Sequence, residues 1–473
     1  MKERRKGIRL RIHDFSQTFI LLKIEGVIYK ARIFDYSRFG LGVIATGDEI
    51  HSWKNNTYIE ECIINTLGKE KLLGPGELVH QKKKKDVLFL GIYLEKEFVD
   101  MDFLFEKQSL ALQEDERKRI SMHFSMQEEI HPNFISFVSR FVYGLSLYKI
   151  SLDDLDQKFL EEPEQLKEVL FSSITEGVGQ DFYNFLSSSI EELKLITKSF
   201  SKLENERHGF YLRKSIWNFL MESEFIKRTN IKPRGYAGDS VMMEMLYNHE
   251  YLGKSSFGKI FHKHPCDTKA ADAVRNRRSL INEFISEQIE KLNKEEVKIL
   301  SVACGPAWEI HDFLLNSPYN RRVSFYLLDQ DYDALEEAKT NISKIPDGGN
   351  PYKVNYIKES VRTLLRSSSE QIFLGQFDFI YSMGLYDYLT DSVATALTHK
   401  LFSVLNSSGM MILGNYHKEN ETRKYMEYLM DWVLYYREEE SLLELIEGVA
   451  NLNSSSVHFD NSGTQMFLKA TKT

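Results

Sequence analysis

Cysteine is scarce in this chain: three among 473 residues, at Cys62, Cys266 and Cys304. An odd number spaced so widely argues against a disulfide framework and for a reducing compartment. Long apolar runs are missing too. "VLFLGIYL" at 87–94 is among the longest, far below the ~20 residues a membrane-crossing helix needs. The opening "MKERRKGIRL" leads into no apolar core and no small-residue cleavage site. No signal peptide is expected, and the expected location is the cytoplasm. Positive charge is not in excess either. A net charge of −8 gives no overall field that would draw the chain to a nucleic acid polymer. There is no internal repeat and no low-complexity tract. What remains is a globular composition, 42% hydrophobic and 27% charged, with length for two to four domains at roughly 100–200 residues each.

Three regions differ in periodicity. Residues 1–108 read as β. "TFILLKIEGVIYKARIF" (18–34) is two apolar runs joined at Glu25-Gly26, a hairpin signal, and "GLGVIAT" and "VLFLGIYL" add strands, together suggesting a small barrel. The lysines of "KKKKD" (82–86) fall between two strands and read as a solvated hairpin tip. Residues 109–292 begin with a charged linker or connecting helix and continue at a helical period. In "DFYNFLSSSIEELKLITKSF", Phe182, Phe185, Leu186, Ile190, Leu193, Ile196 and Phe200 form one stripe. "PRGYAGDS" (233–240) interrupts the helices as a loop with specific backbone demands. Residues 293–473 alternate strands and helices. "VKILSVACG", "RVSFYLLDQD", "YKVNYIKES", "FDFIYSMG" and "SGMMILGNY" read as five strands of a parallel sheet, and "SSVHFDNSGTQMFLKATK" as an antiparallel end hairpin.

In an open α/β sheet, ligands sit at the carboxyl ends of the strands. The first strand ends in "ACGPAWEI", a turn of small residues that lets a ligand approach the backbone. The second ends at Asp329, 24 residues after Gly305, the offset at which a carboxylate accepts from ribose hydroxyls. The other reading of Asp329 is a cap for the next helix. A nucleotide-type sheet closed by an antiparallel hairpin resembles the class I S-adenosylmethionine (SAM)-dependent methyltransferases. The family's glycine-rich first turn is here Ser301-Val-Ala303-Cys-Gly305-Pro-Ala307, with only the middle glycine kept and no acid at 301. "FDFIYSMGLYDYLTD" (377–391), "GNYHKENETRKYMEYLMDWVLYYREEESL" (414–442), "KPRGYAGD" and "AVRNRR" (273–278) together resemble the bacterial group that makes 3-hydroxy fatty-acid methyl esters.

That resemblance implies a cofactor site at Ala303, Cys304, Gly305, Pro306, Glu309, Asp329, Gln330, Ser382, Met383 and Gly384, with Glu309 or a backbone carbonyl replacing the missing acid at 301. A carboxylate acceptor is ionised at neutral pH and needs a cation or donors to orient it. A hydroxyl or amine needs a general base. Tyr386, Asp387, His417 and Arg437 are the candidates, with Asn415 beside them. Alternatives stand next to these. Arg437 could pair with Asp431 or a glutamate, Asp239 could cap a helix, and Tyr388, Trp432 and Tyr436 could be packing residues. No metal site is expected at His262, His264 and Cys266, which have no second ligand cluster near them in sequence.

"FDYSRFG" (34–40) follows the arginines of "ERRKGIR". Guanidinium groups grip phosphates and stack on bases, and Asp35 offers acceptors to a guanine edge. R-x-x-x-R with D-x-S-x-x-G on a small barrel resembles the PilZ domain, a cyclic di-GMP receptor. The resemblance implies binding by Arg4, Arg5, Arg9, Asp35, Ser37 and Gly40. Arg4 precedes the first motif arginine, where the family's preference between one ligand and a stacked pair is set, and it leans toward the pair. The whole chain is then expected to be a cyclic di-GMP-regulated methyltransferase with SAM as cofactor and a small or lipid carboxylate as substrate. Two alternatives remain: a catalytically silent cyclic di-GMP adaptor, and transfer to a protein or amine. A homodimer is compatible with all of them.

Overall fold

The computed structural model describes residues 10–11, 18–37, 40–45, 53–66, 69–84, 87–94, short helical pieces between 113 and 124, and 129–346, 352–366 and 376–473. The chain divides into two compact units, Met1–Glu129 and Ile130–Thr473.

In the first unit, β1 (Leu10–Arg11), β2 (Thr18–Ile24), β3 (Val27–Ser37), β4 (Gly40–Ala45), β5 (Tyr58–Thr66), β6 (Lys69–Lys84) and β7 (Val87–Leu94) run in the order β1-β3-β2-β5-β6-β7-β4. A further antiparallel β3–β4 pairing closes six of them into a barrel, removing both sheet edges. The core shows the period-two pattern of a half-buried strand, with Ile20, Leu22 and Ile24 of β2 all buried. The β2–β3 hairpin turns at Glu25 (φ 51°) and Gly26 (φ 78°), the left-handed pair of a two-residue turn. The lysine run departs from expectation. Lys82, Lys83 and Lys84 belong to β6 and pair with Phe89, Leu88 and Val87; residues 85–86 lie outside the described residues.

The second unit begins with helices, chiefly Pro132–Lys158, Glu164–Glu176, Val178–Ile196, Lys202–Ser215, Glu224–Ile231, Ser240–Asn248, Ser256–Cys266 and Lys269–Leu292. Side-chain caps fix several starts: Ser201 with Glu204 as a capping box, and Ser223, Asp239 and Ser255. Of the expected stripe, Phe182, Leu186, Ile190 and Leu193 are buried, Phe185 and Ile196 are half-buried against the same core, and Phe200 lies beyond the helix end at Ile196. His262, His264 and Cys266 serve this core. His262 Nδ1 accepts from the Phe225 amide at 3.1 Å, His264 bonds the Tyr425 hydroxyl at 2.9 Å, and the Cys266 thiol reaches the His262 carbonyl.

The sheet follows: β8 (Val297–Val302), β9 (Val323–Asp329), β10 (Lys353–Lys358), β11 (Phe377–Ser382), β12 (Leu405–Tyr416), β13 (Leu452–Phe459) and β14 (Gln465–Lys472). Their order is β10-β9-β8-β11-β12-β14-β13. The first five are parallel, and β14 enters antiparallel between β12 and β13. β11 is buried along its whole length, as in a sheet covered on both faces. The order reverses between β8 and β11, the switch point at which an open α/β sheet forms a crevice. Among the described residues no helix is long and apolar enough to cross a membrane.

Candidate functional site

A cavity of about 250 Å³ opens at that switch point. Its floor is the turn after β8. Ala303 (φ 54°), Gly305 (φ 57°) and Ala307 (φ 52°) alternate in the left-handed region. Only Gly305 adopts it without strain. A Cβ at Gly305 would meet nothing within 4 Å, so the backbone is bare toward the cavity. The two alanines hold a glycine-like path at a cost, and their surroundings differ. Ala303 is exposed and Ala307 fully buried. Ala303→Gly is therefore expected to raise stability by about 1 kcal/mol. Ala307→Gly should gain less, since it also removes a buried methyl worth roughly 0.8 kcal/mol. Denaturant midpoints of the two variants check this.

Asp329 closes β9 and ties the turn down. Its Oδ2 accepts from the Gly305 amide at 2.8 Å and its Oδ1 from the Asp331 amide at 2.9 Å. It does not cap the following helix; Asp331 does, accepting from the Asp333 amide. Burial raises the Asp329 carboxyl, against the pull of these amides. Glu309 stands in the first turn of the helix Trp308–Asn316, buried, and accepts the Tyr381 hydroxyl at 2.8 Å. Burial pushes its pKa up to about 6. Ser301, where the resembled family has an acid, is buried below the turn.

The far wall comes from the loop after β11 and from the helical layer. Met383, Gly384, Leu385, Asp387 and Tyr388 face Met243, Tyr247, Val274 and Arg277. Asp387 is buried, and one oxygen accepts the Tyr416 amide at 2.7 Å. Burial raises its pKa to about 7. The proton it binds in the folded chain is lost near pH 4 in the unfolded chain. Its contribution to stability is thus complete below about pH 4 and disappears as pH rises through about 7. Asp387→Asn keeps an acceptor for Tyr416 without a charge. The variant should melt above the wild type at pH 8.5, with the gap narrowing toward pH 5. A gap independent of pH would contradict the assignment.

The loop "PRGYAGDS" roofs the cavity. Arg234 bonds Asp331 at 3.2 Å and Glu337 at 2.6 Å, and the Tyr236 hydroxyl reaches Asp331 at 3.2 Å. The Tyr388 hydroxyl donates to the Ala237 carbonyl at 2.7 Å and accepts from the Trp432 indole at 2.9 Å. A Cβ at Gly238 (φ 78°) would stand 2.6 Å from Trp432, which is why the loop needs glycine there. Asp239 caps the next helix through Met242 and is gripped by Arg228 at 2.7 Å.

Of the sequence candidates, Ala303, Cys304, Gly305, Pro306, Glu309, Asp329, Gln330, Met383, Gly384 and Asp387 line this one cavity. The others lie off it. Ser382 is buried and donates to the Val302 carbonyl at 2.8 Å. Tyr386 points into the core below the sheet, where its hydroxyl meets Thr398 at 3.0 Å. Arg437 pairs with Asp391 at 2.9 Å, not with Asp431 or a glutamate, and bonds the Tyr386 and Leu389 carbonyls and Asn415. Asn415 is fixed in turn to the Tyr416 and Tyr435 carbonyls. His417 bridges to Arg437 through backbone and packs edge-on to Phe459. These side chains shape the loops around the cavity and do not enter it.

Tyr388 and Trp432, open to a packing role from sequence, stand on the cavity wall, while Tyr436 packs against Met426 and Arg423. Tyr236, Tyr247, Arg277 and Tyr416 line the cavity without having been singled out. A signal existed for Arg277: it sits three residues after Val274 and four before Ile281, a charge on a buried stripe.

In the barrel, Asp35 and Ser37 lie on β3 and Gly40 opens β4, with Ser37 paired to Gly40. Gly40 answers to a close approach more than to a turn, because a Cβ there would stand 2.4 Å from the Ile92 carbonyl oxygen. Arg4, Arg5, Arg9 and the Ser37 side chain lie outside the described residues.

No family model matches the chain, and no curated protein matches it. Solved structures similar to it include a possible exported protein from Bordetella parapertussis (15% identity, 62% of this chain and 96% of that one, TM-score 0.43). Others are magnesium protoporphyrin IX methyltransferase from Synechocystis with bound SAM (11%, 44% and 85%, TM-score 0.32) and the N-methyltransferase NodS from Bradyrhizobium japonicum with S-adenosyl-L-homocysteine (11%, 42% and 87%, TM-score 0.29). Likenesses at this level leave the chemistry to the site itself.

Proposed function

We propose that residues 130–473 form a SAM-dependent methyltransferase acting on a lipid-type carboxylate such as a 3-hydroxy fatty acid. The observation that carries this is the cavity at the sheet's switch point, floored by the left-handed turn 303–307 and flanked by Asp329. The residues suit the cofactor. The bare Gly305 backbone admits it, Asp329 has acceptors for ribose hydroxyls, and the buried Glu309 offers a carboxylate to an ammonium. The bound cofactor would supply an activated methyl group. The chain's part is to align the acceptor and exclude water, and the enclosing wall of Met243, Val274, Leu385, Trp432 and Leu434 suits an apolar tail. That the turn keeps a left-handed path despite two alanines supports an active site over a silent adaptor.

A second reading gives the methyl to a hydroxyl or amine. Asp387, a buried carboxyl with a pKa raised to about 7, would then serve as general base.

The first unit, in this proposal, binds cyclic di-GMP and regulates the transfer. The closed barrel and the register of Asp35, Ser37 and Gly40 support it. Labelled-methyl SAM, full-length protein and 3-hydroxydecanoate, with and without cyclic di-GMP, test the whole reading. Label in the ester that depends on the nucleotide is expected. Label only in protein or polar amines would replace the substrate, and transfer indifferent to the nucleotide would remove the regulation. Arg5→Ala with Arg9→Ala should abolish the nucleotide's effect, while an unchanged melting temperature shows that the protein stays folded.

A further inference from the structure

The segment "AVRNRR" places three arginines within four positions of the helix Lys269–Leu292. Two are fully employed. Arg275 bonds Asp272 at 2.6 Å and the Leu246 and Cys266 carbonyls at 3.0 and 2.9 Å. Arg278 grips Asp312 with two bonds of 2.5 and 2.7 Å and stacks between Tyr247 and Trp308. Arg277 is different. It is only 8% exposed and lines the cavity. Its Nε has no hydrogen-bond partner. Its other nitrogens reach the Met383 carbonyl at 3.4 Å, the Met243 sulfur at 3.3 Å and the Tyr247 hydroxyl. Among the described residues no carboxylate comes within ion-pair distance of it; Asp387 and Glu309 act on its charge from farther off.

A guanidinium held out of water without a direct ion pair is costly, and the nearby Asp387 and Glu309 carboxylates offset that cost only in part. Proteins tolerate that where a ligand completes the pair. The cavity supplies the room, and glycine at 384 keeps a side chain off the guanidinium, since a Cβ there would stand 3.2 Å from Arg277 Nη1. The other charged groups of the cavity, Glu309, Asp329, Glu359 and Asp387, are all acids. They would repel a dianion, whereas one carboxylate matches the planar fork.

We propose that Arg277 is the carboxylate-binding residue of this cavity. The proposal rests on the methyltransferase reading and deepens it. The carboxylate has two sources, the amino-acid end of SAM or the acid group of the acceptor. Both give Arg277 the same chemistry.

Calorimetry on the full chain separates them, with four probes: S-adenosylhomocysteine, methylthioadenosine (which lacks the amino-acid end), 3-hydroxydecanoate and its methyl ester. In Arg277→Met, affinity for one carboxylate-bearing probe should fall on the order of 10- to 100-fold, as for a lost hydrogen bond to a charged group. Its uncharged counterpart should shift less than about twofold. Loss for S-adenosylhomocysteine identifies the cofactor's carboxylate, and loss for the fatty acid identifies the acceptor's. Arg277→Lys keeps the charge without the fork and should lose part of the effect. It stands in if the methionine variant does not fold. A wild type that binds S-adenosylhomocysteine beside variants that bind all four probes as tightly overturns the assignment of Arg277 alone. A wild type that binds neither adenosine probe overturns the methyltransferase reading, and the assignment with it.

Discussion

Replacing Arg437 by alanine is expected to destabilise the second unit by about 3–5 kcal/mol. The side chain is only 2% exposed and donates to the Tyr386 carbonyl at 3.0 Å, the Leu389 carbonyl at 2.8 Å and Asn415. Removing it strands those three acceptors, at roughly 1–3 kcal/mol each before relaxation. The ion pair with Asp391 adds little to that sum, because Asp391 is 85% exposed and screened by solvent. The denaturant midpoint measures the loss. Unchanged stability together with lost methyl transfer would return Arg437 to the list of residues touching substrate.

Asp329→Ala should weaken SAM binding by about 1.5–3 kcal/mol, on the order of 10- to 150-fold, the worth of hydrogen bonds to a charged group. Two effects combine. Ribose acceptors disappear, and the Gly305 and Asp331 amides lose the carboxylate that anchors the turn. Asp329→Asn keeps one acceptor and should fall between. Titration of S-adenosylhomocysteine into the three proteins gives the order directly. Equal affinities would mean that the cofactor does not reach the end of β9.

Much of the architecture was legible because it follows from local periodicity. Strands β8, β9, β11 and β12 carry compact apolar runs bounded by turns, while the edge strand β10 and the terminal hairpin follow from alternation. The stripe from Phe182 to Leu193 needed only the helical period. The cavity floor was legible too, since it lies in one short segment after β8 and in one residue at the end of β9. What escaped were contacts made across long stretches of chain. Asp431, offered as a partner for Arg437, is taken by Arg213 and Lys232, some two hundred residues earlier. Tyr386 and Asp387 are neighbours, yet the short turn Tyr386–Tyr388 sends one to the core below the sheet and the other to the cavity. Sequence order alone does not tell such neighbours apart. Arg277 could have been flagged, because a charge on an apolar stripe needs a reason to be buried. Its lack of a direct ion pair is a tertiary fact, since Asp272 and Asp312 are taken by Arg275 and Arg278.

The most direct test of the central claim is calorimetric titration of SAM into the full-length chain. The account predicts saturable binding at a single site, competed by S-adenosylhomocysteine and weakened by Asp329→Ala. A flat titration at millimolar SAM, with the protein folded, would contradict it and leave the cavity to another ligand.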